Sequence, residues 1–174
     1  MITTSDWKNE IKMIEKLSYR TVESFDFETV CALPQNLEEL FFMFPKAEYP
    51  LTVNQLEAAV KSRFDSTVIL YDEEIVGFAN FYEVNRNDYC SIGNVIVKSN
   101  FRKKGIGGFL IETMENIGIE RYNVSEFRLS CFNTNTNGIL LYSKLGYKPY
   151  EIEKRISREN EILALIKMNK KKIE

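Results

Sequence analysis

The sequence predicts an α/β domain on a mixed, mostly antiparallel sheet flanked by helices, and three stretches predict it. Between Ser66 and Val97, three β-rich runs alternate with short polar turns, the pattern of an antiparallel meander. The last run, Tyr89 to Val97, leads into a long amphipathic segment and then a further run, Phe127 to Phe132. Strand, helix and strand in that order make one right-handed crossover with a parallel pair. Two closing runs, Tyr147 to Ile156 and Ile162 to Met168, fold back as a hairpin about Ser157-Arg-Glu-Asn-Glu161.

Each element has a local reason. Thr3 to Leu17 predicts a helix: Thr3 can cap it, Asp6 can reciprocate, and Trp7, Ile11, Ile14 and Leu17 share a face. Residues before about Glu23 are expected to be an added N-terminal helix, its apolar face covered by the domain or across a homodimer. Phe27 to Ala32 reads as a first strand, ended by Leu33-Pro34. Asn36 caps a short helix, Leu37 to Met43, stopped before Pro45. Thr52 caps the next, with Leu56, Ala59, Val60 and Phe64 facing inward.

Ser66 to Tyr71 is a strand, Asp72-Glu-Glu a turn, Ile75 to Glu83 a strand, and Asn85 to Asp88 a turn into Tyr89 to Val97. Gly93 lies inside that last strand, where glycine marks a bulge or a close backbone approach. Ile106 to Tyr122 is the strongest helix, with Ile106, Leu110, Thr113, Met114 and Ile117 on one face. Asn137 to Leu145 is a short helix closed by Gly146 in the left-handed region, and Lys170-Lys-Lys is a solvated tail.

Composition narrows the function. A chain of 174 residues, 44% hydrophobic and 28% charged, fits one domain with a sizeable core. Its net charge of −2 gives no global case for nucleic acid or a membrane surface. No apolar run reaches membrane-spanning length, and the start Met-Ile-Thr-Thr-Ser-Asp lacks the basic and apolar regions of a signal peptide. Cys31, Cys90 and Cys131 are odd in number and form no Cys-x-x-Cys pair, which points to reduced thiols in a cytoplasmic protein. The complete absence of histidine removes Ser-His and Cys-His catalysis and the usual zinc sites, and no metal is expected.

The most informative run is Val95-Ile96-Val97-Lys-Ser-Asn-Phe-Arg102-Lys103-Lys104-Gly105-Ile106-Gly107-Gly108. A β-branched strand enters three cations, then three glycines within four positions, then an apolar helix. The first turn of a helix has unpartnered N–H groups at an electropositive end, and glycines let a ligand approach the backbone. Together these make a cradle for a pyrophosphate. An ordinary strand-to-helix turn with solvated lysines is the alternative that these residues alone leave open. A P-loop is excluded because Phe109-Leu110 follows Gly108, and a dinucleotide fingerprint because Leu110 stands where its third glycine belongs.

Arg102, Gly105 and Gly107 resemble the Arg/Gln-x-x-Gly-x-Gly/Ala acyl-CoA signature of the GNAT N-acetyltransferase superfamily. Asn135 to Tyr147, with Tyr142 seven residues after Asn135 and Gly146-Tyr147 closing the segment, resembles that family's second signature. The resemblance covers roughly Phe27 to Met168 by element order and is specific from Val95 to Tyr147, and residues 1–174 are expected to form one N-acetyltransferase domain. It implies a splayed parallel strand pair that opens a slot for the pantetheine arm of acetyl-CoA. It also implies direct attack of a primary amine on the thioester, without a covalent enzyme intermediate. By resemblance the cofactor-binding residues are Val95, Ile96 and Val97 through their backbone, Arg102 to Gly108, and Asn135. Tyr142 is the residue that assists the departing thiolate.

The general base is not visible in the same way. Several relatives carry a glutamate on the strand before the Asn-to-Tyr segment, whereas Arg128-Leu-Ser130-Cys-Phe-Asn133 holds no carboxylate. Glu83, or water relayed through Asn94 or Ser130, are the candidates. Phe41, Phe42, Phe44, Tyr49, Tyr82 and Tyr89 gather where the acceptor wall belongs, most of them as core. Two other classes fit the same residues. One is an acyl-CoA-binding regulator with little turnover, which loss of Tyr142 would have favoured. The other is an interaction protein using the N-terminal helix and exposed aromatics, against which CoA-dependent turnover by a monomer would count.

Overall fold

The computed structural model describes residues 15–157 and 159–172. Trp7, Ile11, Ile14 and most of the helix expected over Thr3 to Leu17 therefore lie outside the described residues. Leu17 itself does not end a helix. It opens β1 (Leu17–Thr21), which pairs antiparallel with β2 (Phe64–Tyr71) from Leu17↔Tyr71 to Thr21↔Thr67. Leu17-Ser-Tyr-Arg-Thr alternates well enough to pair once an edge is offered.

The expected first strand is a helix. Asp26 accepts from the Glu23 N–H at 2.8 Å and receives the Arg20 guanidinium at 2.6 and 2.8 Å. These bonds fold the chain into a short 3₁₀ turn that continues as α1 (Phe27–Cys31). Phe27 and Val30 are both buried, so the pattern that counts here is i, i+3 and not the alternation of Thr29 and Val30. The two capped helices form as the sequence predicts. In α2 (Leu37–Met43) Asn36 accepts from the Glu39 N–H, and in α3 (Val53–Ser62) Thr52 accepts from Gln55. Phe64, expected on the inner face of α3, instead starts β2 and is exposed.

The remaining elements follow the predicted order: β3 (Glu74–Asn85), β4 (Tyr89–Val97), α4 (Ile106–Tyr122), β5 (Glu126–Phe132), α5 (Thr136–Lys144), β6 (Lys148–Ile156) and β7 (Ile162–Lys171). Lys170 and Lys171, expected in a solvated tail, instead extend β7 beside β5, and the Lys170 ammonium pairs with the buried Glu115 carboxylate. One seven-stranded sheet runs β1-β2-β3-β4-β5-β7-β6, with β4 and β5 its parallel neighbours and the other pairs antiparallel. Each face of the sheet carries its own core. Cys90, Ile92, Leu129 and Cys131 pack with Leu110, Ile111 and Met114 of α4. On the other face Val68, Phe78 and Ile96 pack with Val30, Leu40 and Leu56 of the first three helices. Among the described residues no helix is long and apolar enough to cross a membrane.

Candidate active site

The site begins where the sheet comes apart. Strands β4 and β5 pair at Tyr89↔Glu126, Cys90↔Phe127 and Ser91↔Arg128 only, and beyond Ser91 they diverge. The cause lies on the other edge of β4. Its pairing with β3 moves from Phe78↔Ile96 to Asn80↔Gly93, so β4 carries one extra residue. That residue is Asn94, at φ 51°, a conformation asparagine tolerates better than most side chains. Its buried amide is held at both ends, accepting from Asn80 Nδ2 at 3.0 Å and donating to the Met43 carbonyl at 2.9 Å. The bulge is thereby tied to the end of α2.

Gly93 does not supply the left-handed residue; it makes room. A Cβ built there would lie 2.8 Å from Tyr82 Cδ1 and 3.1 Å from Arg63 Nη1. The gap between the diverging strands holds a small cavity of about 40 Å³, lined among others by Asn94, Val95, Ser130, Cys131, Asn135 and Tyr142. Val95 thus reaches the slot, whereas the Ile96 side chain is buried in the core on the other face. Val97 stands 4.0 Å from a Cβ built at Gly107, against the start of α4.

At the open end of the slot, Lys103 (φ 60°) and Gly105 (φ 82°) turn the chain into α4. Phe109 N–H bonds back to the Gly105 carbonyl at 3.1 Å. The N–H groups of Ile106, Gly107 and Gly108 precede that bond and are the first-turn donors that a helix leaves unpartnered. Lys103 and Lys104 are exposed beside them, Lys104 with its Nζ 5.3 Å from the Phe101 ring centroid. Arg102 is placed differently. Its fork grips both Glu39 oxygens at 2.7 and 2.8 Å, and its Nε donates to the Val97 carbonyl at 2.9 Å. That guanidinium ties the loop to α2. Gly107 serves packing as well, since a Cβ there would meet Leu141 of α5 at 3.0 Å.

Asn135 and Tyr142 both reach the slot from α5. Asn135 Oδ1 caps the helix by accepting from the Gly138 N–H at 2.9 Å, and the residue lines the cavity. A Cβ at Gly138 would come within 2.8 Å of the Asn135 amide nitrogen and push that side chain aside. Tyr142 is buried, with its ring edge-on to Tyr147 at 6.2 Å and no hydrogen-bond partner for its hydroxyl among the described residues. Desolvation, then the neighbouring Cys131, push its phenol well above the usual tyrosine range. Burial also raises the Cys131 thiol to about 11, so the one sulfur lining the slot is a neutral thiol at pH 7, not a nucleophile.

Two features on the face away from α4 complete the site. Cys90 and Ile92 point under α4, so Ser91 and Gly93 point the other way. There Glu83 accepts from the Tyr89 hydroxyl at 2.7 Å and from Ser91 Oγ at 3.3 Å, at the last residue before the strands part. Arg128 stacks over the Tyr89 ring at 3.5 Å and pairs with Glu126. Next to the slot is a groove of about 330 Å³, walled by Leu37, Phe41, Phe42, Pro45 and Leu163 and rimmed by glutamates, Glu161 among them. Phe42 lines both slot and groove, and Phe41 stacks on Phe132 at 4.5 Å. Tyr49 stands away from the wall, exposed, with its hydroxyl donating to the Gln35 carbonyl at 3.3 Å. Sequence reasoning missed Arg63 and the Glu39 partner of Arg102, because neither belongs to a motif and both reach the site through tertiary packing.

Comparison with known proteins agrees with this geometry. No protein of curated function matches the chain at significant similarity. Solved structures match closely in fold. Spermidine N-acetyltransferase from Vibrio cholerae, in complex with CoA and spermine, aligns at TM-score 0.72 and 17% identity over 90% of this chain and 96% of its own. The ribosomal-protein-S18-alanine N-acetyltransferase from Escherichia coli gives 0.69 and 18% over 88% and 92%. The ribosomal-protein-alanine N-acetyltransferase from Brucella melitensis gives 0.70 and 19% over 89% and 99%. The profile of the acetyltransferase (GNAT) family matches residues 32–147, from the end of α1 through the Asn135-to-Tyr147 segment, and the chain belongs to that family.

Proposed function

We propose that this protein is an N-acetyltransferase that moves an acetyl group from acetyl-CoA to a primary amine of a small molecule or peptide by direct attack. One observation carries the reading: at the gap between β4 and β5, the first-turn N–H groups of α4 at its mouth and the hydroxyl of Tyr142, which lines it, have no partner among the described residues. The donors suit the cosubstrate. N–H groups of Ile106, Gly107 and Gly108, with Lys103 and Lys104, would hold the pyrophosphate, and the edge of β4 at Val95 to Val97, which β5 leaves without a strand partner, would pair with the pantetheine amides through the groups other than the Val97 carbonyl held by Arg102. Asn135 has one amide nitrogen to spare for the same purpose. Acetyl-CoA supplies an activated acyl group whose C–S bond breaks as the amine nitrogen bonds the carbonyl carbon.

The chain's own contribution is placement and proton handling. Tyr142 donates to the sulfur as it gains charge; with a phenol less acidic than a thiol, it acts by hydrogen bonding more than by full transfer. Glu83, on the face away from α4, takes up the proton lost by the amine, directly or through water. Acceptors named for the structural neighbours are a polyamine and a ribosomal-protein alanine, both amines, and the groove beside Phe42 offers an acceptor room next to the slot. Three free cysteines suit a reducing, cytoplasmic setting. The test is an amine panel with acetyl-CoA, read as free thiol together with acetylated product. Thiol release that depends on an amine supports the reading; CoA binding with no transfer to any amine would leave an acyl-CoA-binding regulator in its place.

A further inference from the structure

Arg63 is an unexplained cation at the site. It follows α3, and its guanidinium lies between the Phe44 and Tyr82 rings, 5.9 and 5.7 Å from their centroids. Nη1 sits over Gly93, 3.1 Å from where a Cβ would be, and Gly93 lines the slot. The residue is partly buried, and among the described residues no oxygen accepts from its side chain and no carboxylate pairs with it. Desolvation holds its pKa below the ordinary arginine value, with only Tyr82 favouring the charge. The other cations of this face are spoken for: Arg128 by Glu126, and Lys167 by Glu151 and Glu153.

A partly desolvated guanidinium to which none of the described residues offers an oxygen is costly unless an anion completes it. We infer that Arg63 binds the carboxylate of the acceptor, so that the acceptor is an α-amino acid whose amine and carboxylate both lie at the mouth of the slot. This rests on the acetyl-transfer reading above. A single unpaired cation matches a monoanion better than a doubly charged phosphate. Its position over Gly93, within the slot lining, calls for a short separation between amine and acid. The apolar groove of Leu37, Phe41 and Phe42 suits an apolar side chain on the same molecule.

The experiment compares each amino acid with its decarboxylated analogue: L-leucine with isoamylamine, and L-phenylalanine with phenethylamine. A hydrogen-bonded charge pair contributes about 1.5–3 kcal/mol, so wild-type kcat/KM should favour the acid of each pair by ~10- to 150-fold. In Arg63→Met that ratio should collapse toward unity, chiefly through the acceptor KM, with the KM for acetyl-CoA unchanged; Arg63→Lys should recover part of it. No wild-type preference for the acids, or equal slowing of both members of each pair in Arg63→Met, would overturn the inference. The second result would mean that Arg63 supports the reaction centre or the fold. If no amine is acetylated at all, the transfer reading fails separately. Calorimetry with N-acetyl-L-leucine and N-isoamylacetamide, with and without CoA, still decides the subsite: only the acid should bind, and only with Arg63 present. Equal binding of the two amides would overturn it.

Discussion

Tyr142→Phe removes one oxygen and keeps the ring. In the folded chain that hydroxyl has no hydrogen-bond partner among the described residues, while the ring is buried against Tyr147 and lines the slot. Folding therefore loses almost nothing, and the melting temperature should stay within ~2 °C of wild type. The reaction loses a donor to sulfur as charge develops there. A hydrogen bond to a charged group contributes about 1.5–3 kcal/mol, which corresponds to a ~10- to 150-fold fall in kcat. The fall belongs at the lower end of what general acids provide, because burial makes this phenol a still weaker acid than a free one. The assay is thiol release at saturating acetyl-CoA, with a rapid-mixing trace to show that chemistry limits turnover. A wild-type kcat under those conditions would refute the role of Tyr142, and a large drop in melting temperature would reassign it to packing.

Three further outcomes follow from named contacts. The Arg20 hydrogen bonds hold Asp26 below the usual carboxylate range, so its stabilisation is present above the unfolded value and lost as pH falls through the folded one. Asp26→Asn should cost about 1–3 kcal/mol at pH 7 and flatten the acid limb below about pH 4, read by urea titrations across pH; an unchanged limb would contradict this. Gly138→Ala should push Asn135 off its cap, costing about 1 kcal/mol and raising the KM for acetyl-CoA, and an unaltered KM would separate Asn135 from the cosubstrate. Glu39→Gln should weaken the tie between Arg102 and α2 without weakening CoA binding in calorimetry; a tenfold loss of affinity would show that the ion pair shapes the cradle.

Local signals carried much of the fold. The meander, the α4 helix from Ile106 to Tyr122 and the left-handed Gly146 were legible because periodicity, caps and glycine act within a few residues. The strand expected over Phe27 to Ala32 is a helix because its β-branched residues yield to an Asp26–Arg20 contact formed at the end of β1. The bulge was legible as an event at Gly93, but its residue is Asn94, chosen by the buried amide contacts to Asn80 and Met43. Motif positions fared better than side-chain roles. Tyr142 and Asn135 do meet in the slot, whereas the Arg102 guanidinium is engaged by Glu39, sixty-three positions away in sequence. Contacts of that range leave no periodic trace in the sequence, and Arg63 was invisible for the same reason.

In the proposed function, the gap between β4 and β5, entered past the start of α4, seats acetyl-CoA. Calorimetric titration of CoA into the wild-type protein and into Gly107→Asp tests it most directly. The substitution puts a negative charge and added bulk among the N–H groups of Ile106 to Gly108, so a circular-dichroism spectrum and melting curve must accompany it. Wild type should bind CoA saturably and one-to-one, and a folded Gly107→Asp should lose nearly all of that binding. No binding to wild type, or the same affinity in the folded variant, would contradict the proposal.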